Sequence, residues 1–310
     1  MDNLTHSLAG ALLGRMGLKR LTGRAMPALV ISANLPDIDT FIAPLIVAEP
    51  IAFHRGFTHG IGGWILMPFV TAALVLLWNR WRPADQPVRP WMLLLVSAIG
   101  TLSHPALDFM NTYGVRLLEP LSDRWFYGDI LFIIDPFIWI AIIVGLELSW
   151  RAQRLGRNWA KPAVSVFAGI CGYLLLNFGI TTRAETLAKQ DLKSRGFKPT
   201  EVVASPPPLK SWQRRVLWRD ERVSGSGYFD PFASDRVSFD RKLVPIRLDH
   251  PRLAAARGRD PEVDGFLFWS RMPMVVEEDG RPYLTDQRFL DRPGRPRTRN
   301  FMIPLDDGGD

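Results

Sequence analysis

A chain of 310 residues with a formal net charge of +7 and one cysteine, Cys171, cannot build an intramolecular disulfide scaffold. Its mean hydropathy of +0.02 hides an uneven distribution, with apolar residues crowded into the first 180 positions. The modest positive balance is spread over many changes of sign; it reads as a solvated surface able to meet membrane lipids, and no interleaved aromatic motif supports nucleic-acid binding.

In chain order, "MDNLTHSLAGALLGRMGLKR" looks at first like a secretory leader. Its basic residues Arg15, Lys19 and Arg20 follow the apolar stretch instead of preceding it, so we read it as a retained helix capped by Asn3 or Thr5. A second apolar stretch, residues 26–35, ends at Pro36. Both are short against the ~20 residues that a helix needs to cross about 30 Å of hydrocarbon. A re-entrant or tilted hairpin is therefore expected. "NLPDIDTF" then offers Asp37 and Asp39, which taken alone read as a solvated loop.

"HRGFTHG", residues 54–60, precedes the first strong span. Its two histidines and Arg55 read alone as a polar collar, with the arginine snorkelling. Four strong spans are predicted, at residues 60–78, 91–107, 130–146 and 163–180. The second carries His104 and the third Asp135. A charge at a helix centre costs roughly 2.5 to 3.5 kcal/mol on insertion scales, so intramembrane titratable groups point to function. In "SHPALDF", His104 and Asp108 lie four apart, one turn along a helix face, a spacing that suits either one metal ion or an ordinary hydrogen-bonded pair. Basic loops at Arg80, Arg82 and Arg89 and at Arg151, Arg154, Arg157 and Lys161 fall on one side, which the positive-inside rule makes cytoplasmic. The opposite end then gathers His6, His54, His59 and His104 with Asp37, Asp39, Asp108 and Asp135.

Beyond the last span, residues 183–195 continue as helix. The remainder alternates aromatic and β-branched residues with Gly, Pro and Asp turns, as in "RVLWRD", "RVSGSGYFD" and "GFLFWSRMPMVVEEDGRPYLTDQRF". That pattern predicts an antiparallel β domain with a hairpin at "EEDGRP". His250 reads as a surface residue, and the last residues, to "LDDGGD", as loop and a frayed end. The expected organisation is a polytopic α-helical membrane domain over 1–182, with about four spans plus an N-terminal helical hairpin, and a small soluble, extracytoplasmic α/β or mainly-β domain over 183–310.

Imidazole and carboxylate are the donors that zinc and related divalent ions take in hydrolytic sites, and the convergent set is large enough for more than one ion. No glycine-rich phosphate loop, HExxH helix or GxSxG elbow is present. "NLTHSLAGALLG", "ANLPDID", "HRGFTHG" and "SHPALDFMNTYG", with a distal "FWSRMP" and "DGRPYLTDQRF", resemble the YdjM-type family of inner-membrane, metal-dependent hydrolases. The resemblance is good over the first 145 or so residues and looser beyond. That family is distantly similar to zinc-dependent phospholipase C and the single-strand zinc nucleases, whose trinuclear site takes ligands from HxxxD helices. The resemblance implies His6, Asp37, His54 or His59, His104 and Asp108 as metal ligands, and zinc first among the candidate ions. A second HxxxD helix is missing here, which leaves the number of ions open.

The expectation is a membrane-bound hydrolase acting on a phosphate ester or phosphodiester in a lipid-linked substrate, with Asp39 or Asp135 as general base or orienting carboxylate and Arg55 on phosphate. A divalent-metal transporter and a non-catalytic membrane anchor are the competing readings.

Overall fold

Asp2, in extended conformation, accepts a hydrogen bond from the Thr5 amide at 3.0 Å and so opens helix α1 (Asn3–Arg15). The cap is Asp2, in place of the Asn3 or Thr5 expected from the sequence; the Thr5 hydroxyl instead donates to the second oxygen of that carboxylate. In this computed structural model, residues 1–47, 50–292, 295–296 and 299–305 are described. The expected frayed end at 306–310 lies outside them.

Helix α2 (Ala25–Asn34) gives way to a 3-10 turn (Leu35–Ile38), because Pro36 has no N–H to continue the α ladder. Helices α3 (Asp39–Ile46), α4 (Pro50–Phe53), α5 (Ile61–Trp81), α6 (Pro90–Phe109), α7 (Pro136–Arg154) and α8 (Ala160–Ser194) follow. Among the described residues, four segments are long and apolar enough to cross a membrane: Ala25–Leu45, Ile61–Trp81, Pro90–Phe109 and Ala160–Ser194. The count matches the sequence reading, but one member differs. Ala25–Leu45 runs 21 residues as α2, turn and α3, long enough for a span where a shorter arm was expected. The segment expected at 130–146 instead begins its helix at Pro136, because Asp135 caps it and Pro136 takes the first helical position. Glu147, Arg151 and Gln153 then interrupt the apolar run of α7.

Contacts divide the chain into two units, one of residues 1–42 and 54–178 and one of 43–53 and 179–310. In the first, α2 lies between α1 and α6, and glycines set the approach. A Cβ on Gly10 of α1 would stand 2.7 Å from the Leu29 carbonyl, and one on Gly100 of α6 would stand 2.9 Å from the same oxygen. Small residues at crossings are how helices approach closely in lipid, where no hydrophobic drive pulls them together. Ala25, Ala28, Leu29, Ala72, Val75, Leu93 and Val96 fill the resulting core. Outward, α5 exposes Ile65, Leu66, Phe69 and Leu77, α6 exposes Trp91 and Leu95, and α8 exposes Leu175 and Leu176. Apolar surface on that scale suits hydrocarbon and not water.

In the second unit, Ala184, Ala188 and Leu192 form one stripe of α8, packed on Val202, Val216, Trp218 and Phe229. These come from the antiparallel sheet of β1 (Glu201–Ser205), β2 (Arg214–Arg219), β3 (Val223–Phe229) and β4 (Ser238–Phe239), with β5 (Val244–Pro245) also paired to β3. Two short helices follow, α9 (Pro251–Ala256), capped by His250, and α10 (Pro261–Trp269), capped by Asp260. Residues "GFLFW", expected as strand, therefore lie in α10; the Asp260 cap and Pro261 at its first position start a helix that the apolar run alone did not reveal. The hairpin of β6 (Pro273–Glu278) and β7 (Arg281–Asp286) is as expected. Asp279 and Gly280 both have positive φ, 52° and 76°, the two-residue turn that matches strand twist. β10 (Ile303–Pro304) pairs with β7, and β8 (Leu290–Arg292) with β9 (Arg295–Pro296).

Candidate metal centre

The last carbonyls of a helix have no partner within it. At the end of α2 the Ala33 carbonyl meets Nδ1 of His104 at 2.6 Å. A carbonyl can only accept, so Nδ1 carries the proton and Nε2 of His104 is left with a lone pair. That nitrogen lies 3.0 Å from Nε2 of His59, 3.3 Å from Oδ1 of Asp37 and 3.5 Å from Oδ2 of Asp108. His59 Nε2 is in turn 3.5 Å from Oδ1 of Asp37 and 3.3 Å from Oδ2 of Asp108. Four donor atoms thus converge from three elements: the 3-10 turn, the loop before α5, and two successive turns of α6.

Donors at the corners of a tetrahedron with arms of about 2.0 to 2.1 Å stand about 3.3 to 3.4 Å apart. The observed separations of 3.0 to 3.5 Å fit that figure. All four residues are buried. Among the described residues, neither ring nitrogen of His6 has a hydrogen-bond partner, and the Asp108 oxygens make no well-aligned hydrogen bond, although Oδ1 is ion-paired with Arg55 and the Met1 amino group. Buried polar atoms are seldom left so in folded proteins. A cation beside Asp108 Oδ2 and the two imidazole Nε2 atoms would complete their bonding, and the donor set suits a divalent ion.

Asp39 organises the neighbourhood. Its Oδ2 accepts from the Thr58 hydroxyl at 2.6 Å and from the Arg55 amide at 3.1 Å, and lies 3.4 Å from Nδ1 of His59. Its Oδ1 meets His54 Nδ1 at 2.8 Å. A carboxylate behind a ligating imidazole fixes the ring and raises its basicity. Arg55 has φ of 62°, uncommon for a long side chain. Its amide is anchored on Asp39 and its carbonyl accepts from the Arg116 amide at 3.0 Å. The guanidinium then reaches Asp108 at 3.3 Å and Asn111 at 3.1 Å, within one buried patch. The Met1 amino group also meets Asp108.

His6 is placed by the helix crossing. It precedes Gly10 by four residues on α1, as Gly100 precedes His104 on α6, and the two rings stack at 3.7 Å between centroids. Its Nε2 is 3.6 Å from Asp108. The two histidines of "HRGFTHG" are separated: His59 belongs to the buried quartet, while His54, 32% exposed, groups with Asp37 and Asp39 in a second set that could hold an ion. Asp37 belongs to both sets.

Asp135 has a different task from the catalytic or orienting one expected. One oxygen caps α7 at the amides of Phe137 and Ile138, 2.9 and 3.1 Å away, and the other accepts from the Tyr173 hydroxyl at 2.7 Å. Both oxygens are committed, which explains how a carboxylate is tolerated in that apolar run. Thr58, Asn111 and the Ala33 carbonyl were not singled out from the sequence. Thr58 adjoins His59, and Asn111 lies three residues beyond Asp108, but neither type is a usual zinc ligand and a main-chain carbonyl has no side-chain signature.

A multi-helix membrane unit with a buried His/Asp cluster that could hold a metal ion is the class that fold and site define. The YdjM inner membrane protein family matches residues 1–184, and the chain belongs to that family. It is also similar to a Bacillus subtilis (strain 168) protein described as "Uncharacterized protein YfhP", 27% identical over 224 residues. That match covers 70% of this chain and 64% of the relative, so the chain spans about 64% of that protein's length. No solved structure matches.

Proposed function

We propose that this inner-membrane protein is a metal-dependent hydrolase whose substrate is a phosphate ester or phosphodiester, carried on a lipid. The observation that supports this best is that Nε2 of His59 and of His104 stand 3.0 Å apart and each 3.3 to 3.5 Å from the carboxylates of Asp37 and Asp108. These four would hold one ion; Asp37, Asp39 and His54 form a second set that could hold another only in place of the Asp39–His54 hydrogen bond, and the roles of Asp39 and His54 are those of the single-ion site. A divalent ion there would polarise a phosphoryl oxygen and lower the pKa of water toward about 7.

The chain's own residues divide the remaining work. Asp39 takes the proton-bearing sides of His54 and Thr58 and so holds His59 in place; this orienting role fits its bonds better than that of a general base. His54 is the more exposed imidazole, fixed by Asp39, and is placed to take a proton from water. Arg55 balances part of the charge of Asp37, Asp39 and Asp108 and lies where it can meet a phosphoryl oxygen. We further infer that this end of the bundle and the C-terminal domain face away from the cytoplasm, supported by the basic loops at the other end.

The test is hydrolysis by the purified full-length protein of a panel of phosphomonoesters, phosphodiesters and lipid phosphates, before and after chelation. Metal-dependent release of phosphate or alcohol that is lost in His104→Ala is the expected result; metal bound with no turnover of any phosphoester would sink it.

One observation favours the transport reading. Ser97, Thr101 and Thr71 are buried with hydroxyls that have no hydrogen-bond partner among the described residues, and Ser97 and Thr101 continue the His104 face of α6. Metal flux into proteoliposomes, abolished by Thr101→Val, would displace hydrolysis as the function.

A further inference from the structure

At the basic end of the first unit, a cleft of about 580 Å³ is lined by the turn after α1, the start of α2, the loop after α5, the end of α7 and Trp159. Three cations face it: Lys19, Arg20 and Arg24. Lys19 Nζ lies 4.0 Å from the centre of the Trp159 ring and the Arg20 guanidinium 4.4 Å from it. Arg24 lies 4.3 Å from the ring of Trp78. Lys19 shares the Gln153 side-chain oxygen with Arg15, so a fourth cation stands beside the cleft.

Charge balance is the anomaly. Among the described residues, none of Arg15, Lys19, Arg20 and Arg24 has a carboxylate within ion-pair distance, and the one acidic residue in the lining, Asp85, is exposed. Burial, followed by the neighbouring charges of Arg15 and Arg20, pushes the Lys19 ammonium below its usual range. Cations held close together without a counter-charge repel one another, and an anion seated among them removes that cost. The tryptophans hold the cationic arms by ring stacking, and tryptophan is the residue type found at head-group depth. A cleft of this volume accommodates a small polar group, not a bare ion alone.

We propose that this cleft is a binding site for a phosphate carried on a small head group, with Lys19 and Arg20 as its main contacts. The source is either an anionic lipid or a soluble phosphate ester. Basic pockets between membrane helices suit the first. The site lies at the opposite end of the helices from His104 and does not depend on hydrolysis.

The experiment is a thermal-unfolding series on the full-length protein in neutral detergent, with added phosphatidylglycerol, phosphatidylcholine, glycerol 3-phosphate or inorganic phosphate. The double variant Lys19→Gln/Arg20→Gln is compared with Lys19→Arg and with Arg151→Gln/Arg154→Gln, whose charges lie outside the cleft lining. A rise of several degrees with phosphatidylglycerol but not phosphatidylcholine, kept in Lys19→Arg and lost in the double variant, identifies a lipid source. The same pattern with glycerol 3-phosphate or inorganic phosphate identifies a soluble one. No shift with any anionic probe, an equal shift in the double variant, or an equal loss in Arg151→Gln/Arg154→Gln would overturn the proposal.

Discussion

His59 and His104 meet nitrogen to nitrogen, Nε2 to Nε2, at 3.0 Å. The second nitrogen of His104 is already committed to the Ala33 carbonyl, so its Nε2 presents a lone pair. A shared proton could join the two rings, but Asp37 and Asp108 stand within 3.5 Å of both nitrogens, and a cation serves all four donors at once. His104→Ala or Asp108→Ala is therefore expected to abolish bound metal. Elemental analysis of purified protein checks this; metal content equal to wild type in both variants would rule out the quartet.

Asp39 acts through its neighbours. Asp39→Asn keeps the shape but weakens the hold on His59 and His54, and loss of such a supporting carboxylate typically costs 10- to 100-fold in metal affinity. Competition with a chromophoric chelator should show a drop of that order, with little change in thermal stability. An unchanged affinity would mean that Thr58 alone positions the ring.

Gly10 and Gly100 set the approach of α2 to both neighbours. Gly10→Val places carbon atoms against the Leu29 carbonyl and should destabilise the bundle by about 1 to 3 kcal/mol. Because His6 lies one turn away, the same substitution should also reduce metal content. A variant with normal midpoint and normal metal would show that the helices part without cost.

Asp286 offers a test in the second unit. It is buried and accepts hydrogen bonds from the Ser270 hydroxyl at 2.6 Å, the Met272 amide at 3.0 Å and the Arg288 guanidinium at 2.8 Å. Burial alone would raise its pKa, but Arg288 and these bonds outweigh that and hold it below the usual carboxylate range. Since the folded value lies below the unfolded value of about 3.9, its stabilisation is complete above that pH and is lost as pH falls toward the folded value. Asp286→Asn should lower stability near neutrality and flatten the acid limb, as read by limited proteolysis of the full chain between about pH 3 and 7. An acid limb as steep as wild type would assign it to other carboxylates.

A reporter fused to the C-terminus tests orientation. Activity of a periplasm-dependent enzyme there is expected, and cytoplasmic activity would reverse the placing of the metal centre.

Composition and periodicity carried much of this structure. The apolar runs, the Asp279–Gly280 turn and the spacing of His104 and Asp108 each signal their geometry locally, through span length, backbone permissiveness and helix pitch. What escaped has physical reasons. Asp135 looked chemical because an unpaired carboxylate in an apolar run is costly, yet a helix N-terminus and the Tyr173 hydroxyl satisfy it, and Tyr173 lies 38 residues away. The roles of His54 and His59 depended on a left-handed residue between them, Arg55, which no spacing rule anticipates. "GFLFW" carried no helical period, so only its cap could have revealed α10.

The bond from Ala33 to His104 means that the hydrogen position on a central imidazole is dictated by main chain. Any residue at 33 presents the same oxygen, so side-chain scanning at that position would report only steric tolerance while passing over the atom that matters. Moving the end of α2 by a single residue would remove it, so Pro36, which offers no donor of its own, helps to set the ring's hydrogen position by ending that helix.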